Sequence, residues 1–217
     1  MSETIVKLGG SLASSPLLKA WLEALVAWGG PLVLVPGGGP FARCVRAAQE
    51  QLGFADSAAH RMALLAMEQF ATAIAAYSEK FALAASPAEI ASALDARKIP
   101  VWLPSAMVLG ALDVSTSWDM TSDSLAAWLA GAMHARRILL IKSCDPAMVS
   151  VDEIAAAKIV DPLFPFFAAR SQAEIWLAGP ASLPGALLIL QSGGMPGIAI
   201  GQSPALQPQA AATRTEL

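Results

Sequence analysis

The chain is poor in the residues that staple a fold, span a bilayer or grip a polyanion. Two cysteines, Cys44 and Cys144, occur among 217 residues; they are too few for a disulfide framework and lack metal-ligand spacing, so they read as packing thiols in a reducing cytoplasm. Charged residues make up 14%, and 14 basic against 17 acidic side chains leave a net charge of -3, which offers no electrostatic footprint for nucleic acid or an anionic membrane. Although 55% of the residues are hydrophobic, Gly, Pro and charges break every rich stretch before it reaches the roughly 18 to 20 apolar residues of a spanning helix. Lys7, Gly9-Gly10 and Glu23 likewise interrupt the start, against a signal peptide. G-x-x-x-x-G-K-[ST] and a helix-opening G-x-G-x-x-G are missing too. Small polar ligands remain as the expected partners.

What is present is an alternation of short apolar runs with helical patterns, the sequence form of βαβ units. Strands are expected at Thr4 to Leu8, Pro31 to Val35, near Val101, Ile138 to Lys142 and Ile175 to Leu177. Helices are expected over Pro16 to Trp28, Phe41 to Leu52, Asp56 to Tyr77, Pro87 to Ala96 and Ser122 to His134. Parallel pairing with helices on both faces gives a three-layer αβα sandwich with a mainly parallel central sheet. The length suits a single domain, residues 1–201. Its last third, rich in Pro and Gly, reads as loops and short strands, and 202–217 as a flexible tail.

Two glycine-rich turns each follow an expected strand: Val6-Lys7-Leu8-Gly9-Gly10-Ser11 and Val35-Pro36-Gly37-Gly38-Gly39-Pro40. Glycine lets backbone N–H groups approach a ligand, and a helix start just beyond adds the positive end of a dipole. A phosphate cradle results, with Lys7 as its mobile cation and Gly9 and Gly10 as N–H donors. The bland alternatives are tight βα connections, a solvated strand-end lysine, and Pro40 at a first helical position. Asp123 stands at the start of a helix, where a carboxylate complements the dipole; Asp119, four residues earlier, is a weaker candidate or a cap. Arg43 and Arg46 share a helix face and suit a phosphate or carboxylate, or simply the surface. His60, beside Arg61 in an apolar run, is either a ligand to the acceptor or a core histidine. Lys142 at a strand end, followed by Ser143-Cys144-Asp145, is either a phosphate contact or solvated.

The segments Val6 to Leu12, Val35 to Ala42 and Thr121-Ser122-Asp123-Ser124-Leu125-Ala126-Ala127, in this order and at this spacing, resemble the amino acid kinase superfamily over roughly residues 4 to 200. The resemblance implies the carbamate kinase-like fold, with an acceptor-binding half at about 1–135 and a nucleotide-binding half at about 136–201. It implies ATP and Mg²⁺, with Lys7 and Asp123 catalytic and Asp123 organising the active-site lysines. Gly9, Gly10, Ser11, Lys142 and Asp145 would then hold nucleotide, while Gly37, Gly38, Gly39, Arg43 and His60 hold the acceptor. No protein metal ligand is expected, and homo-oligomers are. The segments Ala59 to Gln69, Ser117 to Ser124 and Val160-Asp161-Pro162-Leu163-Phe164-Pro165 are similar to the kinases of methanofuran biosynthesis, which phosphorylate (aminomethyl)furanylmethyl phosphate to its diphosphate. The nucleotide motifs depart from the common pattern: Ser143-Cys144-Asp145-Pro146 and Gly193-Gly194-Met195-Pro196-Gly197 replace better-defined loops.

The expected function is therefore ATP-dependent phosphorylation of a small phosphorylated alcohol, the furan phosphate foremost. Phosphoryl transfer rewards donors and cations over nucleophiles, and these residues are of that kind. The alternatives are a kinase of a carboxylate or other small metabolite giving an acyl phosphate, and a nucleotide- or oxyanion-binding or scaffold protein that has lost transfer.

Overall fold

A computed structural model describes residues 4–145 and 147–201; the expected tail at 202–217 lies outside the described residues. Seven strands form one sheet: β1 (Thr4–Leu8), β2 (Leu32–Pro36), β3 (Phe81–Ala84), β4 (Ile99–Trp102), β5 (Arg137–Ile141), β6 (Glu174–Ala178) and β7 (Ile198–Ile200). Their order is β3-β4-β2-β1-β5-β6-β7, parallel throughout except for β7, which runs antiparallel to β6. The helices are α1 (Leu17–Trp28), α2 (Gly39–Leu52), α3 (Asp56–Ala75), α4 (Pro87–Asp95), α5 (Ser105–Val108), α6 (Ser122–Ala132), α7 (Val151–Ala156), α8 (Phe164–Ser171) and α9 (Ala186–Gln191).

The central strands are buried on both faces, as parallel strands between helix layers must be. Alternation decides which side chain goes where. Ile5 and Val33 join one apolar cluster with residues of α6 and α8, whereas Val6, Leu8 and Leu34 join a second with residues of α1 and α9. Lys7 shares the parity of Ile5, and Lys142 that of Ile138 and Leu140, so both lysines leave the sheet on the α6 side. In the β1–β5 register Lys7 lies opposite Leu140, and Lys142 follows Ile141, the last residue of β5. The chain turns from β1 toward β2 and from β5 toward β6, in opposite directions. That reversal opens a crevice at the carboxyl ends of adjacent parallel strands, the usual ligand position in such sheets.

The expected strands and helices are present within a few residues, and α2 starts earlier than expected, at Gly39. The last third differs: α7, α8 and α9 are helices where loops and short strands are expected. Ser150 and Glu153 form a reciprocal capping box that starts α7, and Pro165 sits in the first turn of α8, where proline is tolerated rather than helix-breaking. Phe81–Ala84 also pairs with β4 as an unforeseen strand. Neither cysteine is a packing thiol, because both are free and exposed. No helix among the described residues is long and apolar enough to cross a membrane.

Candidate active site

The two glycine turns pack on each other, backbone to backbone. A Cβ on Gly37 would lie 2.4 Å from the nitrogen of Gly10, and one on Gly10 would lie 2.6 Å from that of Gly39. Gly39 also has a φ of +55°, a left-handed conformation that favours glycine. The close approach holds the end of β1 against the start of α2. Gly9, an expected N–H donor to phosphate, instead gives its N–H to the Ile141 carbonyl at 2.9 Å, extending the β1–β5 ladder, and Gly37 N–H bonds to the Leu8 carbonyl at 2.8 Å. Gly10, Ser11, Gly38 and Gly39 do line a cleft of about 290 Å³. Gly10 opens a short 3-10 helix, Gly10–Ser14, and Gly39 opens α2 with Gly38 as its N-cap, so these N–H groups stand at helix starts, where no carbonyl one turn earlier can take them.

Asp123, in the first turn of α6, is the pivot. Its Oδ1 lies 2.6 Å from Lys7 Nζ, and Lys142 Nζ donates to Oδ1 at 2.8 Å and to Oδ2 at 2.9 Å. Lys142 donates also to the Ile159 carbonyl at 2.6 Å. An ammonium has three N–H donors, and those of Lys142 are directed at Asp123 and the Ile159 carbonyl; Lys142, expected at a strand end, is thus part of the Asp123 cluster. Lys7 meets the trio through one Asp123 oxygen and lines the cleft. Residue exposures of 3% for Lys7, 6% for Asp123 and 8% for Lys142 mean that the charges interact in a medium far less screening than water.

Burial pushes the Asp123 carboxyl up, but the nearby Lys142 and Lys7 ammonium groups outweigh it and hold the group at about 2. For Lys142 burial dominates: despite the Asp123 carboxylate, and with Lys7 adding repulsion, its pKa falls to about 8. Two lysines share one carboxylate, so the trio has an excess of one cationic side chain, and Lys7 lines the cleft. Such an arrangement can neutralise charge on a transferring phosphoryl group without supplying a nucleophile.

The other expected residues divide into two groups. Arg43, Arg46 and His60 line the cleft, with the His60 pKa lowered by burial. Ser11 donates its hydroxyl to Ser143 at 2.9 Å, joining the first glycine turn to the loop after β5. Asp145 lies apart, its Oδ1 accepting the Ala181 N–H at 2.9 Å and so fastening the loop after β5 to the turn after β6. Arg61 is exposed and outside the cleft lining, and Asp119 offers its backbone carbonyl to Leu163 N–H at 3.0 Å. Among the described residues no group of three or more His, Cys, Asp or Glu could hold a metal ion.

Trp118 belongs to the cleft and is not foreseen by the residue patterns. Arg46 lies over its ring at 3.8 Å, and its indole N–H donates to Gln49 Oε1 at 2.6 Å. Gln49 in turn donates to Asp56 Oδ1 at 2.8 Å. The chain joins α2, α3 and the loop before α6 around the cleft mouth. Position alone gives no signal for it, because the partners are 69 residues apart.

The amino acid kinase family model matches residues 2–146. A curated relative, the [5-(aminomethyl)furan-3-yl]methyl phosphate kinase of Methanocaldococcus jannaschii, is 28% identical over 180 residues, covering 74% of this chain and 80% of the relative. Among solved structures, uridylate kinase from Archaeoglobus fulgidus superposes with a TM-score of 0.70 at 18% identity, covering 93% of this chain and all of that one. Aspartate kinase from Synechocystis gives 0.66 at 14% identity, covering 95% of this chain and 40% of the other. At those identities the structural likeness establishes the fold.

Proposed function

The chain belongs to the amino acid kinase family, and from that premise we propose that it transfers the γ-phosphoryl group of ATP to [5-(aminomethyl)furan-3-yl]methyl phosphate or a close analogue, giving the diphosphate. A phosphate oxygen of the acceptor attacks the γ-phosphorus in line, the bond to the ADP oxygen breaks, and no covalent enzyme intermediate forms. The reading is carried by the buried Lys7–Asp123–Lys142 trio at the cleft. Lys7 is the catalytic cation on the phosphoryl oxygens, Asp123 fixes its direction, and Lys142 fixes Asp123. The substrate assignment draws on the M. jannaschii relative and on a cleft of about 290 Å³, whose arginines suit an anionic phosphate.

The residues suit a nucleoside triphosphate. Gly10 and Ser11 line the same cleft as Lys7, where backbone N–H groups and an ammonium suit phosphate oxygens. Mg²⁺ would neutralise phosphate charge there. Its ligands would be phosphate oxygens and water, in keeping with its ordinary chemistry, because both Asp123 oxygens are taken by lysines. Residence in the cytoplasm and self-association through exposed apolar side chains such as Met62 and Leu65 of α3 belong to the same proposal.

The test is ADP release from Mg²⁺-ATP with a panel of small phosphates and carboxylates. Release that requires the furan phosphate supports the reading. Release with a carboxylate, trapped by hydroxylamine as a hydroxamate, replaces the acceptor, and ATP binding without transfer to any acceptor replaces catalysis.

A further inference from the structure

The catalytic trio is held from outside by a short segment of the C-terminal half, Ile159 to Leu163. Asp161 is 8% exposed, yet its carboxylate faces the opening turn of α6, 40 residues earlier in sequence. Asp161 Oδ2 accepts the Thr121 N–H at 3.0 Å, the Thr121 hydroxyl at 2.8 Å and the Ser124 N–H at 3.0 Å. Asp161 Oδ1 accepts the hydroxyl of Ser124.

Thr121 is the N-cap residue of α6, but its side chain makes no capping bond of its own. Asp161 supplies the cap from a distance, placing a negative charge against the open N–H groups and the positive end of the helix. Asp123 lies between Thr121 and Ser124, so the turn that Asp161 fixes is the one that aims Asp123 at the lysines. Two residues before Asp161, the Ile159 carbonyl accepts from Lys142 Nζ at 2.6 Å. Two residues after it, Leu163 N–H donates to the Asp119 carbonyl at 3.0 Å, next to the cleft residue Trp118.

We propose that Ile159 to Leu163 is a clamp whose central member, Asp161, is a positioning residue for phosphoryl transfer. It sets Asp123 through α6 while Ile159 sets Lys142. The inference rests on the reading of Lys7, Asp123 and Lys142 as the kinase site, and it adds that the aim of Lys7 depends on a segment beyond the stretch matched by the family model.

Asp161→Asn replaces two acceptor oxygens with one acceptor and one donor amide facing donors. The expected result is a kcat lowered by about 10- to 100-fold, the scale of a small misplacement of catalytic groups, with the KM for ATP and for the acceptor nearly unchanged. Ser124→Ala should lower kcat several-fold, and the double variant should lose little more than Asp161→Asn does, since both act through one contact. A purely structural cap would lower Tm and leave kcat per folded molecule alone, and that outcome overturns the clamp. If Asp161→Asn does not fold, Ser124→Ala decides: unchanged kcat contradicts the proposal. A second readout needs no turnover. Reductive methylation of Lys142, followed by mass spectrometry, should be faster in Asp161→Asn or Ser124→Ala than in the parent; equal protection overturns the clamp even where the parent phosphorylates nothing. A Lys7→Ala protein that keeps full activity would instead contradict the kinase-site reading.

Discussion

Lys142 donates to both carboxylate oxygens of Asp123, at 2.8 and 2.9 Å, and so holds that side chain against rotation while leaving Oδ1 in contact with Lys7 at 2.6 Å. A single carboxylate thus serves two ammonium groups that would otherwise repel across the ends of β1 and β5. Lys142 meets both carboxylate oxygens, whereas Lys7 meets one and lines the cleft.

Replacing Lys7 with Ala should separate catalysis from stability. Asp123 keeps its paired contact to Lys142, so the fold should survive with a modest change in Tm. Activity should drop by about 10² to 10³, the usual scale for losing a preorganised electrostatic group. Steady-state ADP release and a thermal melt on the same preparation check both halves.

Alkaline pH should lower activity while this site makes the fold more stable. In the folded chain Lys142 releases its proton at about 8, against an ordinary value of 10.5. The unfolded chain binds more protons across that window, so the contribution of this group to stability rises with pH there. The neutral amine grips Asp123 less firmly, so kcat should decline through the same range. Parallel pH profiles of kcat and denaturant midpoint should diverge above pH 8.

At acid pH the sign is set by Asp123. Its folded pKa of about 2 is below the ordinary 3.8, so its stabilising contribution is complete above 3.8 and is lost as the pH falls through about 2. Asp123→Asn should be less stable than the parent at neutral pH, with two buried lysines left facing one another, and the difference should shrink toward pH 2. Urea melts of both proteins from pH 7 to 2 would show convergence; parallel curves would contradict the pairing.

Glycine replacements should distinguish the cradle from an ordinary helix end. A Cβ on Gly37 meets the Gly10 nitrogen at 2.4 Å, so Gly37→Ala must push the two turns apart, at a cost of about 1 to 3 kcal/mol together with most of the activity. Gly53 has φ +67° and open space around its would-be Cβ. Gly53→Ala should cost about 1 kcal/mol through backbone strain alone and leave kcat and both KM values unchanged.

Trp118→Ala should act on the acceptor rather than on the chemistry. It removes the ring beneath Arg46 and the donor to Gln49, freeing Arg46 from its fixed position at the cleft. The KM for the acceptor should rise about tenfold, the worth of one cation–π contact with its hydrogen bond. The KM for ATP should stay close to that of the parent.

Legibility in the sequence follows from the range of the interaction that decides each feature. The strands β1 and β2, the helices α1 to α4 and both glycine turns are readable because periodicity and turn chemistry are local, whereas β3 and the short α5 are not foreseen. Lys7 and Asp123 are readable as candidates, but the capture of Lys142 by Asp123 and Ile159 is not, since strand parity and the packing of α6 bring them together. The helices α7 to α9 are hidden by prolines and glycines that act as helix starts and connections rather than breaks. The spacing of Ser150 and Glu153 is a capping signal for α7, whereas nothing local reveals Asp161 as the cap of a helix that begins 39 residues earlier.

The central claim is transfer of the γ-phosphoryl group to a furan phosphate, and ³¹P NMR of the protein with Mg²⁺-ATP and [5-(aminomethyl)furan-3-yl]methyl phosphate tests it most directly. The predicted result is loss of the acceptor monophosphate signal and growth of two coupled diphosphate resonances of the furan product, alongside ADP and absent with Lys7→Ala. An unchanged acceptor signal under conditions where ATP is bound, or where another phosphate or a carboxylate is phosphorylated instead, would contradict it.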